Sequence, residues 1–462
     1  TLQLCFAMSL AFAAWHAPSV PTLANPSSYS ATPHRTTPVS AWVTTATVAC
    51  LTQRRFQKYR PTKARRGVPA VRRRFFGNLF GPEEVIDPAD PGRVGVCKEY
   101  QSMPGTMVAA EQSEFGWAVV SRHDASEQDG YWNGEAPGEV TQEWRELRLA
   151  KTTESTLPGA SEGTGQSVVK VSLCEGEAPQ QVPYCMALAY TKSLCATALT
   201  GAHLQGALPL DKVPAMRALV IGLGAGSIPL WLEHTFSKDK MVVDALEIDP
   251  AVVKVATEEM GFPTSALRPS DTAQVAAEDA VTSKSGGSRV YLVPGEDFVE
   301  AVAAQGDENY KYDMVFIDAF DKSGKVPPVL VDGDGTFLQS LNKVLRPTST
   351  VVLNLLVGMT GSGSSGGPQE IEAMVQAIQK NCCNESSEIF TIRTPINESS
   401  GNQIYGFLKA GRASREMPLK DALKESAEMV NAEFPADSLG QPIRFDLARR
   451  VIFSYQDWPK VN

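Results

Sequence analysis

The sequence predicts an α/β fold with a doubly wound parallel sheet, because a glycine turn joins an apolar strand to a helix and later apolar strands end in carboxylates. The turn holds Gly222, Gly224 and Gly226 and follows the apolar run 218–221. The next strand, 242–247, is also apolar and ends at Glu247, with Asp249 two residues on. Since the carboxyl ends of parallel strands open onto one crevice, this pattern predicts a ligand site at the strand tips.

The glycine turn and Glu247 indicate a nucleoside-type ligand. Glycine lets the backbone turn sharply and lets a ligand approach where a Cβ atom would clash. Glu247 lies 21 residues after Gly226, at the end of the next strand, where an acid can hold two ribose hydroxyls. Ser227 stands where the dinucleotide pattern has its third glycine. A dehydrogenase is therefore a distant alternative.

Two later strands carry further acids to the same edge of the predicted sheet. The segment 289–298 ends in the pair Glu296 and Asp297, and the segment 312–321 ends in Asp318 and Asp321. We expect all four carboxylates near the crevice, because each follows a strand.

The remaining elements complete this architecture. Short alternating segments at 116–121, 145–149 and 166–171 predict antiparallel hairpins, and an apolar run predicts a helix over 183–201. Polar or glycine-rich stretches at 264–287 and 358–367 are interpreted as solvated insertions. Further elements are predicted as helices at 335–345, 369–380 and 417–434, and as strands at 350–355, 388–393 and 403–410.

Several of these segments resemble the spermidine-synthase-like branch of class I S-adenosylmethionine (AdoMet) enzymes, including the elongation factor 1-alpha lysine and N-terminal methyltransferases. The resemblance covers roughly 110–410. It implies a Rossmann-like class I methyltransferase sheet with an antiparallel last strand, and a small N-terminal β domain that leans over the AdoMet pocket. The segments that carry it are Gly165-Gln-Ser-Val, Tyr184-Cys-Met-Ala-Leu-Ala-Tyr190, 220–230, Glu247-Ile-Asp-Pro, 312–318 and Val326-Pro-Pro.

The resemblance also implies roles for the candidate site residues. Gly222, Gly224 and Gly226 would line the methionine part of AdoMet, and Glu247 would hold its ribose. Asp249 is counted with the cofactor-binding acids, and Glu296 or Asp297 would reach the adenine amino group. Asp318 would face the methyl group or its acceptor and take up a proton, while Asp321, Gln166 and Tyr190 are acceptor-side candidates.

The function implied is methyl transfer to an amine of a protein or a small molecule. The alternative is a polyamine aminopropyltransferase that uses decarboxylated AdoMet. Such enzymes carry an aspartate where this chain has Ala225. Lys192, two residues after Tyr190, is also unfavourable for a dication substrate, because a dication needs buried carboxylates to replace its hydration. A catalytically silent scaffold is a further alternative.

Charge is distributed unevenly along the 462 residues, whose net charge is −9. Of the 43 basic residues, eleven lie within 1–82, which contain no acid, so the rest of the chain holds 32 basic against 52 acidic residues. An acidic body disfavours nucleic acid as a partner and favours basic peptides or small cations. The five histidines show no metal-ligand spacing, so no metal site is predicted.

Residues 1–82 are interpreted as a targeting leader. The apolar run 4–14 is like a signal peptide and too short to span a bilayer, and an arginine-rich segment without acids follows at 54–74. This order predicts delivery to a plastid, with the mitochondrion or the cytoplasm as alternatives and no stable membrane span in the mature chain. The predicted domains are a small β domain over 106–182, the AdoMet-binding domain over 183–411 and a helical extension over 412–462. The sequence leaves the oligomeric state open, with a homodimer as the candidate that the resemblance implies, because spermidine synthases commonly pair.

Overall fold

The computed structural model describes 105–124, 141–150, 164–186, 188–208, 216–236, 238–320, 325–331, 335–357, 367–383, 387–395, 401–410, 417–433 and 451–452. The predicted leader, Asp321 and nearly all of the loop 358–367 lie outside the described residues.

The first sheet is antiparallel, and its five strands lie in chain order. The segments predicted as hairpins fall within its second, third and fourth strands. Each strand pairs antiparallel with the strand that precedes it in the chain. The strands are β1 (Thr106–Ser113), β2 (Gly116–Asp124), β3 (Thr141–Ala150), β4 (Thr164–Leu173) and β5 (Gln180–Met186).

The prediction of one helix over 183–201 was wrong at its start. Pro183 belongs to the edge strand β5, and the helix α1 spans Ala189–Leu204. A proline is tolerated in an edge strand because its missing N–H removes no bond from a second neighbour. Residues 183–186 therefore belong to the sheet, and the boundary predicted at residue 182 falls inside β5.

The second sheet has eight strands in the order β13-β11-β12-β10-β9-β6-β7-β8. The five strands from β8 to β10 are parallel, whereas β12, β11 and β13 are antiparallel to their neighbours. The predicted fold class is therefore confirmed. The strands are β6 (Met216–Ile221), β7 (Met241–Glu247), β8 (Gly287–Leu292), β9 (Tyr312–Ile317), β10 (Leu345–Val357), β11 (Glu388–Pro395), β12 (Gly401–Leu408) and β13 (Val451–Ile452).

The strand order reverses between β6 and β9. From β6 the chain moves outward through β7 to β8, and it then returns to place β9 on the other side of β6. Such a reversal opens a crevice at the carboxyl ends of the strands, where α/β proteins bind ligands. The candidate ligand site therefore lies at the carboxyl ends of β6, β7 and β9.

Helices cover both faces of this sheet. One apolar core includes residues of α1, α2 and α8, and the opposite core includes residues of α4 to α7. None of the helices in the described ranges combines the length and the apolar character needed to cross a bilayer. Beyond α1, the helices are α2 (Ser227–Phe236), α3 (Pro250–Glu258), α4 (Ala273–Thr282), α5 (Gly295–Gln305), α6 (Thr336–Val344), α7 (Pro368–Ile378) and α8 (Leu419–Glu433).

Two stretches interpreted as irregular or purely helical contain other elements. The insertion 264–287 holds α4, which Thr272 caps by accepting a hydrogen bond from the amide of Val275 at 3.2 Å. Alanines at 276, 277 and 280 form the buried face of α4, a pattern hidden by the polar composition around it. The extension 412–462 contains β13 as well as α8, and β13 pairs with β11.

The first sheet packs against α3 and the glycine turn. Val120, Leu147 and Val169 share an apolar cluster with Val252 and Val255 of α3. At the end of α3, the buried Arg145 side chain donates to the main-chain oxygen and to the carboxylate of Glu259. The sheet is thereby fixed beside the crevice.

A buried charged network joins the parallel strands β7, β8 and β9 across β6. Arg289 contacts one carboxylate oxygen of Asp244 through Nε and Nη2, each at 2.7 Å. The hydroxyls of Tyr310 and Tyr312 donate to the other oxygen of Asp244, Tyr312 at 2.9 Å. Because the charges of Arg289 and Asp244 attract each other and both tyrosine hydroxyls bond to Asp244, these interactions offset the cost of removing the charges from water.

Candidate functional site

The glycine turn at the tip of β6 is bonded to the strands on both sides. The amide of Gly222 donates to the carbonyl of Leu246 at 3.0 Å, and the amide of Asp318 donates to the carbonyl of Ile221, also at 3.0 Å. The amide of Leu223 donates to Glu247 Oε2 at 3.0 Å. The turn therefore lies between the ends of β7 and β9.

The three glycines of the turn are required by backbone conformation and by close neighbours. Gly222, Gly224 and Gly226 have φ angles of 96°, 53° and 77°, which side chains of L residues rarely adopt. A Cβ atom would also collide at each position, with the carbonyl of Asp318, the hydroxyl of Ser167 and the ring of Phe262, respectively. The predicted sharp turn is present, and protein atoms fill the space behind each glycine.

Glu247 is a half-buried acid at the tip of β7. Its Oε1 atom accepts from the amides of Ile248 at 2.9 Å and Asp249 at 3.1 Å, in addition to the bond from Leu223 to Oε2. Burial raises the pKa of Glu247, and the three amide donors oppose that rise. Because a carboxylate has about four acceptor positions, capacity for a hydroxyl of a ligand remains.

Asp249 has a clear structural role. It is the N-cap of α3 and accepts from the amide of Ala251 at 2.8 Å, with Pro250 in the first turn. The side chain of Asp249 is buried. Its assignment as a cofactor-binding residue stays a prediction, and helix capping explains why an acid stands here.

Glu296 and Asp297 lie in the first turn of α5. Glu296 is half-buried and Asp297 is exposed. Acids in a first turn stabilise the helix dipole, which gives both residues a structural function. The start of α5 lies close to β6, since a Cβ atom on Gly295 would be 2.9 Å from Ile221 Cγ2. The acidic turn therefore lies beside β6, and the adenine role of Glu296 or Asp297 stays a prediction.

Asp318 follows β9 on the other side of the glycine turn. Its Oδ1 atom accepts a hydrogen bond from Asn354 Nδ2 on β10 at 2.7 Å. Burial raises the pKa of Asp318 from its ordinary value near 3.8 to about 6, and the bond from Asn354 opposes that rise. Asp318 is therefore an acid that changes protonation state close to neutral pH, as a general base requires.

Tyr190 and Gln166 come together next to Asp318. The Tyr190 hydroxyl donates to the main-chain oxygen of Gln166 at 2.7 Å, which joins α1 to β4 of the first sheet. Burial, followed by the negative charge of Asp318, raises the pKa of Tyr190 well above its ordinary value. The structure thus joins Gln166 to Tyr190 and brings Tyr190 within electrostatic reach of Asp318, the acceptor-side role of Gln166 and Tyr190 stays a prediction, and Asp321 lies outside the described residues.

Sequence reasoning missed Ser167 and Asn354. The Ser167 hydroxyl accepts from the amide of Ala225 at 3.1 Å and so ties the first sheet to the glycine turn. The side chain of Asn354 is buried in an apolar strand. A single amide within such a strand is the signal that could have identified Asn354, because a buried polar group needs a partner.

No protein-family model matches the chain. The human eEF1A lysine and N-terminal methyltransferase is 31% identical over 143 residues, which are 30% of this chain and 17% of that protein. The polyamine aminopropyltransferase of Vibrio vulnificus (strain CMCP6) is 30% identical over 138 residues, which are 30% of this chain and 37% of that protein. The matches therefore span well under two thirds of either relative.

Among solved structures, human methyltransferase-like protein 13 in complex with SAH is 23% identical, with a TM-score of 0.36, over 53% of this chain and 91% of that one. Spermidine synthase from Thermotoga maritima is 13% identical, with a TM-score of 0.36, over 70% of this chain and 78% of that one. The strand order and the sequence matches confirm the predicted resemblance. The chain has a class I methyltransferase fold and is similar to the spermidine-synthase-like branch of that class.

Proposed function

We propose that this protein is an AdoMet-dependent methyltransferase that acts on an amine of a protein or a small molecule. One observation carries the proposal: the glycine turn lies between Glu247 and Asp318, and both residues are bonded to it or to the strand before it. One side of the turn thus offers an acceptor for ribose hydroxyls. The other side offers a carboxylate for an amine.

The residues present fit AdoMet. Glu247 would hold the ribose hydroxyls, the turn 222–226 would receive the methionine part, and Glu296 would reach the adenine amino group. AdoMet supplies an electrophilic methyl group on a sulfonium. The protein then has to align the acceptor nitrogen with that group, and alignment alone contributes roughly 7–11 kcal/mol in well-oriented systems.

The described residues divide the work at the acceptor side. An amine attacks only after losing its proton, and the Asp318 carboxylate can accept that proton when the pH exceeds its pKa of about 6. Asn354 holds Oδ1 of Asp318 at 2.7 Å and so restricts rotation of the carboxylate. Tyr190 is held by the main-chain oxygen of Gln166 and lies within electrostatic reach of Asp318.

An amine acceptor agrees with the charge of the protein and with the name of its human relative, which is a lysine and N-terminal methyltransferase. The 32 basic and 52 acidic residues outside 1–82 would attract a cationic peptide by long-range electrostatics. A protein amine is therefore the acceptor class to test first.

The packing of Ala225 disfavours the aminopropyltransferase alternative. Ala225 is fully buried and shares an apolar cluster with Val120 and Ala251. By resemblance, an aminopropyltransferase needs an aspartate here, and that carboxylate would enter the cluster without a described partner. A silent scaffold is disfavoured by Glu247 and Asp318, which both retain site positions.

The test is calorimetric titration of the full chain with AdoMet and with decarboxylated AdoMet, using Glu247→Ala as a control. We expect tighter binding of AdoMet, and a large loss of affinity in the control. Tighter binding of the decarboxylated form would instead identify a polyamine enzyme. If neither form of AdoMet binds, the catalytically silent scaffold is the alternative that remains.

Plastid delivery and a homodimer are further parts of this proposal. The signal-like run 4–14 and the basic segment 54–74 support the first, and the resemblance to spermidine synthases supports the second. A fluorescent fusion of residues 1–82 tests the destination. Sedimentation of the full chain tests the oligomeric state.

A further inference from the structure

Two buried asparagines lead from the antiparallel part of the second sheet to Asp318. Asn402 Nδ2 on β12 donates to Asn354 Oδ1 on β10 at 3.0 Å, and Asn354 Nδ2 donates to Asp318 Oδ1 at 2.7 Å. The exposed fractions of Asn354 and Asn402 are 1% and 5%. The three residues therefore form a chain of hydrogen bonds across neighbouring strands.

The series of hydrogen bonds from Asn402 through Asn354 to Asp318 has a direction. A side-chain amide can present either its NH₂ group or its oxygen to a neighbour. Asn402 donates to the oxygen of Asn354, so the group that Asn354 can offer to Asp318 is its NH₂. A donor stabilises an ionised carboxylate, whereas an acceptor would stabilise the protonated acid. Asn402 thereby determines which group of the Asn354 amide faces the Asp318 carboxylate, although no described hydrogen bond joins Asn402 to Asp318.

The sheet itself does not need these amides. Their neighbours on β10, such as Val352, Leu353 and Leu355, are apolar and buried, so apolar side chains of similar size would fit the same strand. Replacing a buried pair of partners by apolar groups is often neutral for stability, while leaving one partner unsatisfied is costly. The two asparagines therefore serve Asp318, the last acceptor in this series of hydrogen bonds.

The other groups that face Asp318 do not replace this donor. From α1, Tyr190 and Cys195 lie within electrostatic reach, and burial raises the pKa of both, so both are neutral at physiological pH. The Tyr190 hydroxyl donates to Gln166. From β6, Ile221 offers a carbonyl to the main-chain amide of Asp318.

We propose that Asn354 and Asn402 are positioning residues that hold the Asp318 carboxylate by one oxygen and favour its ionised form, ready to accept a proton from an amine. The inference rests on the proposed function for its catalytic meaning. Its structural content, the control of Asp318 by a directional pair of amides, is measurable without any reaction.

The experiment is a carbon-13 NMR titration of the full chain labelled at aspartate carboxyls, with the Asp318 signal assigned by its loss in Asp318→Asn. We expect Asn354→Leu to increase the proton affinity of Asp318 about tenfold, because the donor is lost. We expect Asn402→Leu to act in the same direction, because Asn354 is then free to turn its oxygen toward Asp318. Thermal unfolding identifies which variants are folded.

Gln403→Leu is the matched control. Gln403 is a buried amide adjacent to Asn402, but it donates to Thr391 and Tyr405 and has no described contact with Asp318. We expect no change in the Asp318 titration for this control. An unchanged titration in folded Asn402→Leu would overturn the proposal, and this variant decides the question even where Asn354→Leu does not fold.

The same variants separate this inference from the proposed function. If methyl transfer is found, the pH below which kcat falls should be higher in Asn354→Leu and Asn402→Leu than in the unaltered chain, while the affinity for AdoMet stays the same. If AdoMet does not bind the unaltered chain, the proposed function fails, but the NMR titration still confirms or overturns the control of Asp318 by the asparagines.

Discussion

The main-chain amide of Leu223 donates a hydrogen bond to the Glu247 carboxylate at 3.0 Å. This bond ties the middle of the glycine turn to the end of β7. One acid therefore shapes the turn and remains available to a ligand. The substitution of Glu247 should affect both functions.

We predict that Glu247→Ala weakens AdoMet binding at least about tenfold, since it removes a charge-assisted acceptor worth about 1.5–3 kcal/mol. Glu247→Gln keeps an acceptor for the amide of Leu223, so its affinity for AdoMet should lie between those of Glu247→Ala and the unaltered chain. Asp321→Ala is the comparison, and it should change affinity far less. Calorimetry measures all three, and equal losses in Glu247→Ala and Asp321→Ala would refute the assignment of the site.

Ser167→Ala tests the tie between the first sheet and the turn. The hydroxyl of Ser167 accepts from the amide of Ala225 at 3.1 Å, and its loss should loosen the turn and weaken AdoMet binding several-fold. Ser172 lies on the same strand, and its hydroxyl accepts only a long bond of 3.4 Å from Gln142. Ser172→Ala should therefore bind AdoMet normally, and a loss of affinity in both variants would point to a general effect on β4.

Asp318 should produce opposite effects of pH on activity and on stability. Because burial raises the pKa of Asp318 to about 6, the folded chain binds this proton more tightly than the unfolded chain does. The stability contributed by this group is therefore present below about pH 4 and is lost as the pH rises through about 6. Methyl transfer should show the reverse dependence and fall as the pH drops below about 6.

Asp318→Asn provides the measurement for this pair of effects. The variant should lose most of its activity, yet exceed the unaltered chain in free energy of unfolding by about 2–3 kcal/mol at pH 8, with little difference at pH 4. Urea unfolding at the two pH values measures the difference. A gap that does not depend on pH would mean that Asp318 does not titrate in this range.

The buried pair Arg289 and Asp244 should be essential for stability. Arg289→Met leaves Asp244 charged and without its cation, which should lower the free energy of unfolding by about 3–5 kcal/mol. Lys311→Met removes an ion pair with Glu308, which is 83% exposed, and should cost less than about 1 kcal/mol. Denaturant unfolding compares the two variants, and similar losses would contradict a special role for the buried network.

Ala225→Asp tests the distinction between the two transferase classes. The new carboxylate would lie in the apolar cluster formed with the first sheet, so we expect a lower melting temperature and no gain in affinity for decarboxylated AdoMet. Ala225→Ser is the milder control, since a hydroxyl carries no charge. A stable Ala225→Asp variant that prefers decarboxylated AdoMet would support the polyamine alternative.

The sequence was sufficient where a local pattern has one structural solution. The apolar strand β9 is buried throughout and β6 is buried except at Arg217, and the glycine spacing predicts the turn that follows β6. The convergence of Glu247 and Asp318 follows from the same pattern, because parallel strands end at one edge.

It was insufficient where a partner from a distant segment decides the outcome. Pro183 is taken for part of a helix when the sequence is considered alone, and only the pairing of β5 with β4 places it in a strand. The alanine face of α4 becomes visible only against α5, whose Phe298 and Val299 lie in the same core. Ser167 and Asn354 act on residues 58 and 36 positions away, and no local periodicity encodes such contacts.

The docking of the first sheet onto α3 has a consequence for how this chain is made. During synthesis the sheet emerges first, with Val120, Leu147 and Val169 on a face that has no cover until α3 leaves the ribosome. The end of α3 follows Met186, the last residue of the sheet, by roughly 70 residues, or about 4–14 seconds at ordinary translation rates. For that interval a finished apolar face is open to the cell. The nascent chain is accordingly a better target for chaperones than the folded protein will ever be.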